Sequence, residues 1–152
     1  MDWEGLHEKK SKKNAKKINN NFKFQQIISK EAIISSNVFI DEGTLIVSGA
    51  IINTGTKIGR HCIINSSCSI DHDNKFSDFS STGPGVITGG NVEVGYQSYL
   101  GLGSLIKHNI KILENTIVGL GSLVNKDCKK NSIYYGSPAK LIRKRKNNEI
   151  YL

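Results

Sequence analysis

The sequence advances in steps of six. From Ile28 onward every sixth residue is Ile34, Ile40, Ile46, Ile52, Ile58, Ile64, Ile70, Phe76, Thr82, Thr88, Val94, Leu100, Ile106, Ile112, Val118 and Val124, so 15 of 17 positions are Ile, Leu, Val or Phe. Those four types supply 43 of the 152 residues, and a frame placed at random would collect about five of them. A fixed short period marks a solenoid, in which each repeat buries its apolar face only by stacking on its neighbours. An amphipathic helix would need spacings of three and four, which the frame lacks.

Two further columns give the repeat its shape. Four residues after each anchor stand Ala32, Val38, Thr44, Ala50, Thr56, Cys62, Cys68, Asn74, Ser80, Val86, Val92, Ser98, Ser104, Ile110, Thr116, Ser122 and Cys128, mostly small or β-branched types that suit a narrow interior. The three cysteines all fall in this column, and an odd count without a CxxC pair reads as reduced core thiols. One residue after the anchor come Asp41, Asn53, Gly59, Asn65, Asp71, Gly83, Gly89, Gly95, Gly101, Gly119 and Asn125. These types tolerate positive φ, so the turn that ends each hexad is expected there. Short extended segments joined by such turns close a prism with three flat faces, and at 18 residues per coil the 17 hexads give five to six coils over residues 28–129. The expected class is all-β, a parallel β-helix.

The ends read differently. Residues 1–27 form a leader, with a Lys-rich helix over residues 6–18, a stop at residues 19–21 and a strand over residues 22–27. After Val124 the apolar step lapses, and Gly136-Ser137-Pro138-Ala139-Lys140 is expected to break regular structure before a basic tail, so that residues 130–152 lie outside the solenoid. Of the 21 Lys and Arg residues 15 crowd these ends, while residues 24–125 hold six against eight acids. The net charge of +8 therefore gives the solenoid no basic face, and no aromatic residues interleave with the lysines, which argues against nucleic acid as a partner. No apolar run approaches the roughly 20 residues of a membrane-spanning helix. The start carries no charged segment followed by an apolar one, and the expected location is cytoplasmic, away from membranes.

The hexad pattern resembles the hexapeptide-repeat acyltransferases. Within them, the segment Ile63-Ile64-Asn65-Ser66-Ser67-Cys68-Ser69-Ile70-Asp71-His72-Asp73 is similar to the sialic acid and bacillosamine acetyltransferase family, with its asparagine and small residues before an acidic-His-acidic triplet. Tyr135-Gly136-Ser137-Pro138-Ala139-Lys140 looks like the G-x-P-A-K element that closes that family's repeats. The resemblance implies left-handed coils, a homotrimer with active sites between neighbouring subunits, and acetyl-CoA as co-substrate. It implies an acceptor that is a sugar or nucleotide sugar, with N-acetylation of a UDP-linked 4-amino-dideoxy sugar ahead of O-acetylation of sialic acid. By the same match His72 is the general base, Asp73 the carboxylate that raises its basicity, and Asn65 a contact to the acceptor. Gly90 offers its backbone N–H to the thioester carbonyl, and Ser81, Leu102 and Leu120 match contacts to CoA. The chain departs from the family twice: it holds only what resembles the last helix and strand of the family's nucleotide-binding domain, and Ser81 stands where many members have a second histidine.

The residues themselves support that chemistry. Acetyl transfer needs a base to take a proton from the attacking amine or hydroxyl, and histidine titrates near working pH. His72 stands two positions after its anchor, at an outward corner, beside acidic residues that can fix its tautomer. The two polar anchors, Thr82 and Thr88, are consecutive and bracket Gly83-Pro84-Gly85 and precede Gly89-Gly90, and places where a pattern breaks its own rule tend to be functional. Lys126, with Lys140 and Arg143, can pair with CoA phosphates. His61 and His108 read as turn or surface residues. Two alternatives share the fold: a non-catalytic trimeric scaffold, and a zinc hydrase. The hydrase class places two metal histidines five apart, whereas His61, His72 and His108 are separated by 11 and 36, so no metal site is expected.

Overall fold

The computed structural model describes residues 23–146 and Glu149, so the helix expected over residues 6–18 lies outside the described residues. From Ile27–Ile28 to Leu123–Val124 the chain makes one two-residue strand per hexad, 17 in all. Strands one coil apart pair in parallel with an offset of 18 residues, as in Ile27 with Leu45 and Ile63 with Ser81. Three sheets result. The first face carries Ile27–Ile28, Leu45–Ile46, Ile63–Ile64, Ser81–Thr82, Tyr99–Leu100 and Ile117–Val118; the second runs from Ile33–Ile34 to Leu123–Val124, and the third from Phe39–Ile40 to Lys111–Ile112. The solenoid therefore has about six turns, and no helix occurs among the described residues.

A two-residue strand has no stability alone, and burial holds the stack together. Ile46, Ile52, Ile58, Ile64, Ile70 and Leu100 are completely buried, each contributing about 1.5–3 kcal/mol relative to exposure. The column four residues after the anchor is also interior, and several of its polar members are bonded in a regular way, although the buried Ser104 hydroxyl has no partner among the described residues. The Thr44 hydroxyl donates to the Gly59 carbonyl at 2.7 Å and accepts the Cys62 N–H at 3.1 Å. Ser98 does the same with Leu113 and Thr116 at 2.8 and 3.0 Å, and the Cys62 and Cys68 thiols donate to Ser77 and Gly83 carbonyls. The polar members Thr44, Thr56, Cys62, Cys68, Asn74 and Ser98 each bond the carbonyl 15 positions on, while Ala50, Val86, Val92 and Ile110 fill the same column by size alone.

The turn falls elsewhere than the residue types suggest. Left-handed φ occurs three residues after the anchor, at Gly43, Gly49, Gly55, His61, Ser67, Asp73, Phe79 and onward to Gly121. The glycines one residue after the anchor serve contact between coils instead. A Cβ on Gly95 would lie 2.5 Å from the Glu114 nitrogen on the next coil. At Asp41, Asn65 and Asp71 the side chain in that position caps the following amide, each at 2.8 Å.

Both ends differ from expectation. Residues 23–26 form no strand, and among the described residues pairing begins at Ile27, which pairs with Leu45 of the following coil. At the other end residues 132–144 are a hairpin rather than an irregular tail: Ser132–Gly136 pairs in parallel with Ile117–Val118 and antiparallel with Ala139–Lys144. The break is confined to a turn at residues 137–138. The free edge of the first face offers unpaired backbone groups, and the β-branched and aromatic run Ile133-Tyr134-Tyr135 satisfies them.

Candidate active site

With 18 residues per coil, residues that differ by 18 stack in rows along the three corners. Ser36, Thr54, His72, Gly90, His108 and Lys126 form one row between the second and third faces. The predicted residues His72, Gly90 and Lys126 therefore share a corner, with His108 between them. Asp73 follows His72 in the left-handed position of its turn, φ 57°, which aims its carboxylate back at the ring. The Asp73 Oδ2 lies 2.8 Å from His72 Nδ1, leaving Nε2 as the open nitrogen. That hydrogen bond, with the nearby charges of Asp71 and Asp73, raises the His72 pKa above its ordinary 6.5. The ring is exposed.

Gly90 lies directly against this imidazole. A Cβ at Gly90 would come within 2.4 Å of His72 Nε2 and 2.5 Å of Cε1, so only glycine fits beside the ring. Gly90 is buried, and its N–H has no hydrogen-bond partner among the described residues. The equivalent amides of Glu42, Ser66 and His72 are capped by the Asp or Asn before them. Gly89 has no side chain to do so. The result is a backbone donor without a partner among the described residues, on a residue that packs against the open side of the His72 ring.

The remaining predicted residues occupy another corner. Asn65, Leu102 and Leu120 lie between the first and second faces, with Ser81 on the adjoining strand of the first face. Leu102 and Leu120 are 54% and 69% exposed, large apolar side chains in solvent. Asn65 Oδ1 caps the Ser66 amide at 2.8 Å, and its Nδ2 has no partner among the described residues. Within one chain the full width of the second face separates the two groups. That face is apolar outward: Ile33, Ile51, Ile87 and Leu105 are 66, 38, 48 and 44% exposed. The outward residues of the third face are charged from Lys57 to Lys111. A concavity of about 660 Å³ beside Phe24, Asp41 and Arg60 and one of about 300 Å³ beside Lys75, Tyr96 and Lys111 contain none of the predicted residues.

The polar exceptions in the core lie behind these corners. Thr82 accepts the Asn65 N–H at 2.9 Å and Thr88 accepts the Asp71 N–H at 3.3 Å, so the two broken anchors hold the turns that carry Asn65 and His72. The fully buried Asn74 lies between the His72 turn and Gly89. It was legible only as the sole amide in its column. His61 is a turn residue, packed edge-to-face with Phe24 and stacked on Phe79 with ring centroids 4.8 and 5.1 Å away.

This architecture is the hexapeptide-repeat β-solenoid. Neither a protein-family model nor a curated protein matches the sequence. Solved structures do. PerB from Caulobacter crescentus, in complex with CoA and GDP-perosamine, is 31% identical with a TM-score of 0.82, over 90% of this chain and 64% of that one. WeeI from Acinetobacter baumannii is 25% identical with a TM-score of 0.81, over 90% and 66%. The acetyltransferase domain of PglB from Neisseria gonorrhoeae, at 23% identity and a TM-score of 0.82 over 90% and 66%, shares the fold. The chain thus spans less than two thirds of the length of these structures.

Proposed function

We propose that this chain is an acetyltransferase that moves acetyl from acetyl-CoA to the amine of a nucleotide-linked amino sugar. The observation that carries the reading is the pairing of His72, oriented by Asp73 and open at Nε2, with the unpartnered N–H of Gly90. In the reaction His72 Nε2 takes the proton as the acceptor nitrogen attacks the thioester carbonyl. Gly90 N–H donates to the carbonyl oxygen as it gains charge. The C–S bond then breaks and the CoA sulfur leaves as the thiol, with the proton that His72 returns. The similarity to PerB, a protein bound to CoA and a GDP-linked amino sugar, supports an amine acceptor and CoA as carrier.

The working form in this reading is a homotrimer of left-handed solenoids. A three-fold arrangement with the second faces turned to the axis buries Ile33, Ile51, Ile87 and Leu105. It also sets the Asn65, Ser81, Leu102 and Leu120 corner of one copy beside the His72, Gly90 and Lys126 corner of the next, bringing base, acceptor contact and CoA contacts into one groove. The buried, unpaired thiols of Cys62, Cys68 and Cys128 suit a reducing cytoplasm.

The test is release of CoA thiol from acetyl-CoA over a panel of GDP- and UDP-linked 4-amino sugars, free amino sugars and sialic acid, with His72→Ala as control. Turnover with a nucleotide-linked amine, lost in the variant, is the expected result. Silence across the panel with acetyl-CoA bound would favour the non-catalytic scaffold.

A further inference from the structure

The geometry points to Asn74 as a positioning residue that locks the turn carrying His72 to the peptide unit that presents Gly90 N–H. This deepens the acetyltransferase reading and rests on it for its kinetic arm. Asn74 is completely buried, inside the solenoid and directly behind the corner. Its Nδ2 protons serve three carbonyls: Asp71 at 2.6 Å, Gly89 at 3.0 Å and His72 at 3.3 Å. Its Oδ1 accepts the Val92 N–H at 3.1 Å, which fixes the amide in this orientation.

Two of these bonds are the ordinary ones of its column. Thr56, one coil earlier in the same row, donates to the Asp71 carbonyl at 2.9 Å and accepts the Asn74 N–H at 3.3 Å. The bonds to Asp71 and His72, within its own turn, are what the longer amide adds. The Gly89 carbonyl and the Gly90 N–H belong to one planar peptide. Holding the carbonyl inward points the N–H outward, toward the His72 ring. One buried side chain therefore sets base and amide donor relative to each other, and by bonding the carbonyl it also polarises the N–H at the other end of the peptide.

The test uses two substitutions whose side chains the same interior row already accommodates. Asn74→Val, as at Val92, fills the slot with no hydrogen bond. Asn74→Thr, as at Thr56, keeps the bonds to Gly89 and Val92. For the valine variant the expected loss in kcat is on the order of tenfold or more, with KM for acetyl-CoA within about twofold, because substrate contacts remain and the transition-state donor is misaligned. The threonine variant, which restores the bonds to Gly89 and Val92 but not those to Asp71 and His72, should recover only part of that loss. Independently of turnover, the Gly90 amide resonance in an ¹⁵N–¹H spectrum should move in the valine variant and stay near the wild-type position in the threonine variant. A folded valine variant with wild-type kcat, or with an unmoved Gly90 resonance, overturns the proposal. If the wild type binds acetyl-CoA and turns over no acceptor, the enzymatic reading fails and the resonance alone decides the role of Asn74.

Discussion

The imidazole of His72 rests against Gly90 of the next coil, its Nε2 only 2.4 Å from where a Cβ on Gly90 would stand. Gly90→Ala therefore forces the ring off its seat while asking nothing of the backbone, since the φ of Gly90 is outside the left-handed region. The expected loss of transfer is on the order of a hundredfold, from misplacement of the base by about 1 Å, with circular dichroism unchanged. An alanine variant that keeps the wild-type rate would show that the close approach has no catalytic meaning.

The Asp73 carboxylate predicts a direction on the pH axis. A general base works in its neutral form, and the hydrogen bond that His72 donates to Asp73 holds the His72 pKa above 6.5, so the rate should rise along a limb centred above that value. Asp73→Asn removes the cause. The limb should move to lower pH while the plateau falls by about tenfold, since the neutral ring becomes a weaker base. A pH profile of kcat/KM that leaves the limb in place would exclude His72 as the titrating base.

Breaking the apolar second face should separate the subunits of the proposed trimer. Ile87→Asp with Leu105→Asp puts charge at two outward positions that are 48% and 44% exposed in the single chain. The expected result by analytical ultracentrifugation is a folded monomer, together with loss of transfer, because each groove of the proposed trimer draws on two chains. A verified monomer with the full rate would refute the shared groove.

Burial should make the thiols inert. Cys62, Cys68 and Cys128 are all at most 1% exposed, and burial pushes the Cys128 thiol up to about 12 and that of Cys62 upward too. Native protein should react with a colourimetric disulfide reagent orders of magnitude more slowly than protein in denaturant, where all three should titrate. Rapid labelling of the native chain would mean that the coils open locally.

The solenoid was legible because its driving force is periodic. One apolar anchor per hexad and one small partner four residues later are visible without knowing any contact, and both columns proved interior from Thr44 onward. The position of the turn was not, since the left-handed residues include His61, Phe79 and Gln97, whose types carry no turn signal, while the glycines expected there answer a contact between coils. The row of His72, Gly90, His108 and Lys126 follows from steps of 18 and was open to arithmetic. Asn74 was harder. A buried amide reads as an irregularity in a column of small residues until its four hydrogen bonds place it between His72 and Gly89.

The closing hairpin bears on how such a molecule stays finite. A stack of parallel strands is an open template, since each exposed edge offers the next chain a row of donors and acceptors. Because Ala139–Lys144 runs antiparallel to its neighbour, the parallel stacking of the first face ends at this strand. The outer strand also bears Lys140, Arg143 and Lys144, and charge on an edge strand is a common device against edge-to-edge pairing. The residues that close the first face therefore make a poorer template for another strand than the coils they cover.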